Sequence, residues 1–279
     1  MLRALFDGLW LTTEIQFFTG AIFLLLERAR PSIREQRRWR RGIKLDIGYV
    51  YLGAIIAVLS GLIGFGHRID TLVQLPHIRV LSRVQSGLAA IPLVLQVVIA
   101  IVIADFFGYW KHRALHTRFL WSFHAVHHSS EDVDWLSNER MHPVEMIMTT
   151  LFQLVPLLML GFPVLAIVWA GQIRRIHSVY EHANLSIDYG RGHYVLVSPI
   201  FHRWHHSTDA SVVDKNFANV FALFDFLFGT MKMPEAEPPA DTFGVPGFPR
   251  DLWGQTARPV RDLVAIMLGK PPRDELRDA

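Results

Sequence analysis

The sequence of 279 residues contains no cysteine. The protein therefore cannot form a disulfide, and its own side chains cannot build a thiolate zinc site or an iron-sulfur cluster. Any electrons that its chemistry needs must come from another molecule.

Charged residues are also scarce. They make up 19% of the chain, whereas 51% of the residues are hydrophobic, which is typical of a membrane protein rather than a soluble one. The net charge is +3, but the basic residues lie beside apolar segments and not on a separate domain. We therefore expect a lipid bilayer as the anionic partner, and no nucleic acid.

Three apolar stretches predict transmembrane helices. Residues 47–66 and 88–104 carry no charge, and each is long enough to cross the hydrocarbon core of a bilayer. Residues 8–26 are interrupted by Glu14. They lack the basic start and the cleavage site of a signal peptide, so we interpret them as an uncleaved first span.

A fourth apolar stretch, residues 146–173, contains Pro156 and the sequence Gly161-Phe162-Pro163. Both features break or turn a helix, so the stretch predicts a hairpin of two helices. A hairpin returns the chain to the side on which it entered. The histidines before and after it would then face the same compartment.

The loop between the first two spans sets the expected orientation. Its acidic residues are few, and the positive-inside rule places such a loop in the cytoplasm. Counting the later spans puts the segment after Trp110 in the cytoplasm as well. The basic residues of the loop region are Arg28, Arg30, Arg34, Arg37, Arg38, Arg40, Arg41 and Lys44.

Two further segments follow the hairpin. Apolar residues from Phe217 to Phe228 recur at helical spacing, which predicts a helix that lies on the membrane or packs on the core. Residues 234–250 contain five prolines and are expected to form a loop. Residues 260–268 predict a short helix at the membrane interface.

Histidines are concentrated in three places. Five of the 14 histidines lie between residues 112 and 128. The spacings place their imidazoles on common helical faces, and residues 123–130 (FHAVHHSS) nearly match residues 201–208 (FHRWHHST). The clustered histidines are His112 and His116, then His124, His127 and His128, and finally His202, His205 and His206.

Neutral imidazole binds iron, zinc, copper and nickel, and eight histidines exceed the need of one ion. Adding His182 and His177 gives ten candidate ligands, so the pattern favours a centre with two metal ions. These two histidines are five residues apart and do not share a helical face. A single histidine is more often hydrogen-bonded or solvated than a ligand, but the clusters together favour metal binding. His67, His77 and His193 have no partner at ligand spacing and are assigned to loops.

Two residues are expected to support the ligands from behind. Asp105 lies on one helical stripe with Tyr109, His112 and His116, and ligand histidines commonly donate their second ring proton to a carboxylate. Capping, or pairing with a neighbouring basic residue, is the structural alternative. His142 forms a single Glu-x-x-His with Glu139, whereas soluble four-helix di-iron proteins need two such motifs.

The whole pattern resembles the fatty acid hydroxylase and sterol desaturase superfamily. The resemblance runs from about residue 105 to residue 230 and is similar to the bacterial branch, while Ser129-Ser130-Glu131-Asp132 is also similar to alkylglycerol monooxygenase. Some members have His-x3-His where this chain has His177 and His182 one residue further apart. The motifs are HRALH at 112–116, HAVHHSS at 124–130, RMHP at 140–143, HAN at 182–184 and HRWHHS at 202–207.

The resemblance implies an all-α, multi-pass transmembrane bundle with a cytoplasmic di-metal site in a bacterial inner membrane. It implies residues 1–87 as an N-terminal transmembrane region, 88–232 as the catalytic domain and 233–279 as a loop with an interfacial helix. The implied activity is hydroxylation or desaturation of a lipid with O2, two iron ions and electrons from a ferredoxin or a cytochrome-type reductase.

Competing interpretations from the residues are a zinc-dependent lipid hydrolase and a histidine-rich metal transporter. The hydrolase has no His-Glu-x-x-His motif to support it, although spacing alone does not distinguish zinc from iron. A transporter predicts ligands distributed within the spans, whereas these clusters follow the spans. A lipid-binding protein without catalysis would leave the histidine clustering unexplained.

Overall fold

The computed structural model describes residues 2–37, 39–62, 87–88, 90–234 and 242–270. Regular structure in these residues is entirely helical, without a strand, which confirms the all-α class. His67 and His77 lie outside the described residues. The α-helices are α1 (Leu2–Ala29), α2 (Ile43–Leu62), α3 (Leu93–Leu115), α4 (Trp121–His128), α5 (Pro143–Thr149), α6 (Val155–Met159), α7 (Val164–His182), α8 (Pro199–His205), α9 (Leu223–Leu227) and α10 (Leu252–Met267).

Helices α1, α2 and α3 are each long and apolar enough to cross a membrane. Large apolar side chains on them point outward: Phe17 is 69% exposed and Val94 is 72% exposed. Such a surface is unfavourable in water and suits lipid. The three predicted spans therefore correspond to three helices, as an integral membrane protein requires.

Helix α3 continues well past residue 104, where its predicted span ends. The prediction ends at the charge of Asp105, but the structure buries that carboxylate and supplies it with hydrogen bonds from Val220 and Phe221. A satisfied buried charge does not have to end a helix. The extension carries His112 at its last turn and His116 at its C-cap.

The stretch from residue 143 to residue 182 forms two helical limbs, as predicted. A π-helical turn, Thr150–Leu154, precedes α6, and Gly161 turns the chain with a φ of 75°. The limbs are linked by Arg174 Nη1, which donates to Gln153 Oε1 at 2.6 Å. The second limb, α7, extends beyond the predicted end of the hairpin and brings His182 to the histidine region.

Small residues bring α3 and α7 close together. Ala100 and Ala104 on α3, with Ala166 and Ala170 on α7, are buried in one apolar cluster. Alanine at intervals of four leaves room for close approach of two helix backbones. Both helices end at histidines, so the C-terminal ends of α3 and α7 meet at the same place.

The predicted helix over residues 217–228 is wrong for its first half. Only Leu223–Leu227 is helical, because carboxylates capture the amide groups of the preceding residues. Asp225 accepts from Phe217 N at 2.8 Å and from Ala218 N at 2.7 Å. The apolar spacing reflects core packing, since Phe217 and Phe224 are buried.

The C-terminal helix is longer than predicted. Helix α10 starts at Leu252, where the Asp251 side chain caps Gly254 N, and it tolerates Pro259 in its interior. Asp262 accepts a hydrogen bond from Ser122 on α4. The helix is therefore tied to the histidine region rather than separate from it.

The basic loop between α1 and α2 packs beside the histidine region. Ile33 N donates to Asn184 Oδ1 at 2.8 Å. Arg40 forms a bidentate ion pair with Asp134. The basic loop and the ends of α3 and α7 thus lie on one side of the three long helices.

Candidate metal centre

Nine of the ten predicted ligand histidines gather in two buried groups. Within each group, the candidate ligand atoms lie within 4.8 Å of one another. The five-histidine group contains His112, His116, His124, His128 and His205. The four-histidine group contains His127, His182, His202 and His206.

The two matching octets contribute reciprocally to these groups. On α4, His124 and His128 join the five-histidine group, while His127 joins the other. At α8, His202 and His206 join the four-histidine group, while His205 crosses to the first. Residues four apart share a helical face, so each i, i+4 pair serves one group and the remaining histidine serves the other.

The two groups adjoin each other. The rings of His128 and His206, one from each group, are stacked with centroids 4.4 Å apart. His202 and His205 also face each other, at 5.3 Å. Two ions bound by these groups would therefore be neighbours.

One short segment orients three members of the five-histidine group. His112 Nδ1 donates to Phe217 O and His205 Nδ1 donates to Lys215 O, both at 2.7 Å. His116 Nδ1 lies 3.0 Å from Asp214 Oδ1. We call residues 214–217 the acceptor segment. Holding Nδ1–H in this way leaves Nε2 of a neutral imidazole as the ligand atom.

The backbone of the acceptor segment is unusual. Asp214 and Asn216 have φ angles of 56° and 59°, in the left-handed region that few residues other than glycine adopt. The buried Asn216 side chain holds this conformation, because its Nδ2 donates to Lys232 O at 2.7 Å and its Oδ1 accepts from Lys232 N at 2.8 Å.

The four-histidine group is oriented by scattered acceptors. His127 Nδ1 donates to Arg140 O at 3.1 Å, and His182 Nδ1 donates to Ser178 O at 2.7 Å. Nδ1 of His202 and Nδ1 of His206 are buried and have no hydrogen-bond partner in the described part of the chain.

The nitrogen contacts fit a cation between the rings. His127 and His182 both donate from Nδ1 to carbonyl oxygens, so in their neutral forms neither Nε2 carries a proton, yet the two Nε2 atoms are 2.9 Å apart. Two facing lone pairs repel each other unless a positive ion lies between them. The donor set therefore fits a bound metal ion.

The spacing of the donors fits ligands of a common ion. Two nitrogens bound to one ion at about 2.1 Å each are at most about 4.2 Å apart. The Nε2 pairs within hydrogen-bonding distance are 2.9 to 3.2 Å apart in both groups. Each of these pairs can therefore bind the same ion.

Burial keeps these imidazoles neutral. Desolvation, reinforced by neighbouring histidines, lowers the pKa of His124 and His128 well below the usual value of 6.5. Burial also lowers the pKa of His182, to about 4. A neutral imidazole is the form that binds metal, so no proton has to be displaced near pH 7.

Glu145 supports the five-histidine group and was not predicted from the sequence. Its Oε2 lies 3.0 Å from His124 Nδ1, and its Oε1 lies 3.3 Å from Lys111 Nζ. All three side chains are buried. The one sequence feature that could have indicated Glu145 is its position as the last charged residue before the apolar hairpin.

Asp105 has a different set of partners from those expected. Its carboxylate accepts from Val220 N and Phe221 N and lies 3.5 Å from Arg174 Nη2. No hydrogen bond of the described residues links it to a ligand histidine. It instead fixes the segment that follows Phe217, so it supports His112 through the backbone.

The other described histidines, two of them candidates and one assigned to a loop, lie outside both groups. His142 Nδ1 accepts from Val144 N at the start of α5, and its Nε2 donates to Thr256 O. His193 lies in a 3-10 turn and contacts Asp188 at 2.7 Å. His177 Nδ1 is 3.7 Å from Glu181 Oε2, and the ring belongs to neither group.

Comparison with known proteins matches residues 97–230 to the fatty acid hydroxylase family. Ornithine lipid hydroxylase OlsE of Rhizobium tropici is 30% identical over 186 residues, which are 66% of this chain and 56% of that protein. Very-long-chain aldehyde decarbonylase GL1-11 of Oryza sativa subsp. japonica is 31% identical over 50% of this chain and 53% of its own length. Alkylglycerol monooxygenase of Homo sapiens is 32% identical over 50% of this chain and 31% of its own length.

These relatives are named as lipid hydroxylases, monooxygenases and aldehyde decarbonylases. The chain spans about half the length of the first two and less of the third. No solved structure matches the chain significantly. Residues 97–230 carry all nine histidines of the two groups, and this segment matches the fatty acid hydroxylase family, as the histidine pattern predicted.

Proposed function

We propose that this chain is a membrane-bound di-iron oxygenase that hydroxylates, or desaturates, a lipid with O2 and electrons from a separate donor. One observation carries the proposal: two adjoining groups of buried, neutral imidazoles with their Nε2 atoms directed at one another. A second ligand group would have no purpose in a site that binds one ion.

Iron suits this donor set. A group of five imidazoles exceeds the four ligands of ordinary zinc sites. Two iron ions held by the nine histidines would supply the power to oxidise a carbon-hydrogen bond with O2, which amino-acid side chains lack. Zinc, which imidazole also binds, can replace iron in purified protein.

The chain's own residues orient the ligands and exclude water. Ligand histidines donate hydrogen bonds from Nδ1 to the acceptor segment, Glu145, Arg140 and Ser178. Each bond fixes the orientation of the ring and its tautomer. Every member of both groups is buried. A closed site of this kind protects a reactive centre from solvent.

A lipid substrate follows from the position of the centre. Helix α3 passes through the apolar region and carries His112 in its last turn, so an acyl chain lying among the helices would reach the ligands without leaving lipid. The names of the relatives support the same substrate class. We assign residues 88–232 to catalysis, 1–87 to membrane anchoring and 233–279 to a loop with a helix at the interface.

Orientation and electron supply complete the proposal. The basic loop packs beside the histidine region, so the positive-inside rule supports a cytoplasmic active site in a bacterial inner membrane. Because the chain has no cysteine, a ferredoxin or a cytochrome-type reductase would have to deliver the electrons.

The test is lipid mass spectrometry on cells that express the full chain and grow under labelled O2. A lipid heavier by one labelled oxygen atom indicates hydroxylation, and a lipid lighter by two hydrogens indicates desaturation. Replacing His128 with alanine should abolish the product. The matched control is His142→Asn, which removes a histidine outside both groups and keeps a residue that caps a helix.

Two results would contradict the proposal. Lipid ester cleavage without O2 by a zinc-loaded protein would support the hydrolase. Metal uptake into vesicles that depends on His128, with no change in lipids, would support the transporter. Metal content of the purified protein, measured in parallel, is expected to be two ions per chain.

A further inference from the structure

A surface cavity of about 300 Å³ adjoins the five-histidine group. We call it the mouth. His116, a member of that group, and Phe217, the last residue of the acceptor segment, both line it. A larger cavity, of about 740 Å³, is lined by none of the nine gathered histidines. The mouth is therefore the better placed of the two to admit a molecule to the histidines.

Two cations at the mouth have no ion-pair partner among the described residues. Arg113 and Lys215 line the mouth, and both side chains are partly buried. The larger cavity differs, because each of its residues Arg40, Arg140 and Arg250 is paired with a carboxylate. A partly buried cation without a counter-ion favours the binding of an anion.

A single carboxylate also lines the mouth. It belongs to Asp214, whose Oδ1 lies 3.0 Å from His116 Nδ1. One carboxylate therefore stands against two cations, and the side chains at the mouth leave it with a net positive charge.

One wall of the mouth is aromatic. Phe228 is 37% exposed and packs on Trp110, with ring centroids 4.9 Å apart. The Cζ atom of Arg113 lies 5.5 Å from the centre of the Trp110 ring. Phe226 and Leu227, which precede Phe228, are 53% and 60% exposed. The mouth thus combines a cationic rim with an apolar wall, a pattern that suits an amphiphile with an anionic end.

The mouth lies at the depth of lipid headgroups. Residues 93–110 of α3 form about 26 Å of helix, close to the roughly 30 Å of a bilayer core. Trp110 is therefore near one surface of that core, where tryptophan is enriched in membrane proteins. Arg113 lies one helical turn beyond it, at the level of phosphate and carboxylate groups.

We propose that the mouth is the substrate entrance and that Arg113 and Lys215 select a lipid with an anionic headgroup. This inference rests on the proposed function, because it makes the bound lipid the substrate. The guanidinium of arginine binds phosphate or carboxylate through paired hydrogen bonds, and the ammonium of lysine adds a second positive charge. The headgroup stays at the rim while the acyl chain runs along Phe228 toward His116.

The test is photo-cross-linking of the purified full chain in phosphatidylcholine nanodiscs without O2. Two lipid probes carry a diazirine at the same acyl carbon, close to the ester. One has a phosphatidylglycerol headgroup and the other a phosphatidylcholine headgroup. Peptide mass spectrometry locates the cross-links. The phosphatidylglycerol probe is expected to label residues 106–119 and 226–230 at least about fivefold more than the phosphatidylcholine probe does.

Substitutions at the rim should remove this preference. Arg113→Gln combined with Lys215→Gln is expected to lower phosphatidylglycerol labelling of these residues at least about 10-fold and to leave phosphatidylcholine labelling unchanged. Arg113→Lys keeps the charge and should retain most of the labelling. The matched control is Arg118→Gln, which removes an exposed cation that follows α3 but does not line the mouth.

Equal labelling by the two probes overturns the inference and leaves the proposed function standing. So does phosphatidylglycerol labelling that survives the double substitution. If the double variant does not fold, the comparison of the two probes on the wild-type chain decides.

Two other occupants have their own outcomes. Displacement of the phosphatidylglycerol probe by inorganic phosphate would identify a site for a free anion and overturn the lipid assignment. Unchanged lipid labelling in a double variant that has lost reduction by its electron donor would identify a docking surface for an acidic protein, which also overturns it. Selective labelling of a wild-type chain that forms no oxidised lipid would overturn the proposed function and the substrate role together, and leave only a lipid-binding site.

Discussion

The two histidine groups are built from the same octets but are held in different ways. In the five-histidine group, the acceptor segment accepts hydrogen bonds from the Nδ1 atoms of His112, His116 and His205. In the four-histidine group, acceptors come from separate elements, and His202 and His206 have no Nδ1 partner in the described chain. Matching ligand motifs therefore do not guarantee matching sites, because the acceptors behind the rings decide how rigid each site is.

The largest effect is expected from removing one ligand from each group. Both His205→Ala and His206→Ala should lower product formation at least about 100-fold, since both ions are needed. Their metal contents should differ. His205→Ala leaves four imidazoles in its group, whereas His206→Ala leaves three. Mass spectrometry of bound metal should show closer to two ions per chain in the first variant and closer to one in the second.

Equal metal loss in the two variants would show that the groups do not differ in strength. Loss of both ions in each variant would show instead that the groups form one cooperative unit. Either result would contradict a difference in metal affinity between the two groups.

A smaller effect is expected from Glu145→Gln, which acts behind His124. The substitution leaves Lys111 buried without its carboxylate, a change that typically costs about 3–5 kcal/mol of stability. Replacing the charged acceptor of His124 Nδ1 with a neutral amide should weaken the five-histidine group about 10- to 100-fold. Thermal unfolding in detergent and cobalt titration measure the two effects.

The double variant Glu145→Gln with Lys111→Met separates these causes. It removes the unpaired charge, so stability should recover while metal affinity stays low. Recovery of both properties would mean that Glu145 acts only as the partner of Lys111.

The acceptor segment itself gives a third prediction. Asn216→Ala should strain the left-handed backbone and cost about 1–3 kcal/mol of stability, whereas Asn216→Gly should avoid most of that strain. Both variants lose the hydrogen bonds to Lys232, so both should weaken the five-histidine group about 10-fold. Equal weakening of the four-histidine group would refute a local role for this segment.

The sequence predicted much of the fold because hydrophobic length and helical spacing are local signals. The three spans, the hairpin and the facing of i, i+4 histidines follow from residues close in the chain. The position at which α3 ends and the lack of helix before α9 do not follow from local signals. Both depend on Asp105 and Asp225, whose carboxylates accept hydrogen bonds from backbone amides near residue 220.

The site was harder to predict than the fold. Spacing identified the histidines but not which group each one joins. His127 of α4 lies in the four-histidine group and His205 of α8 lies in the five-histidine group, an arrangement that depends on how α4 and α8 pack. Most of the acceptors are backbone carbonyls, which leave no mark in the sequence. Glu145 is a single glutamate without a motif, and only its burial distinguishes it.

The smallest effect is expected from His177→Ala. The ring lies outside both groups, is 19% exposed and has a pKa lowered to about 4, chiefly by burial. Removing it should change cobalt affinity less than about threefold, because it leaves all nine gathered imidazoles in place, although the lost packing should lower the unfolding temperature. His182→Ala is the matched comparison on the same helix and should abolish binding in the four-histidine group. If His177→Ala weakens that group as strongly as His182→Ala does, His177 is a tenth ligand and the two groups are equal in number after all.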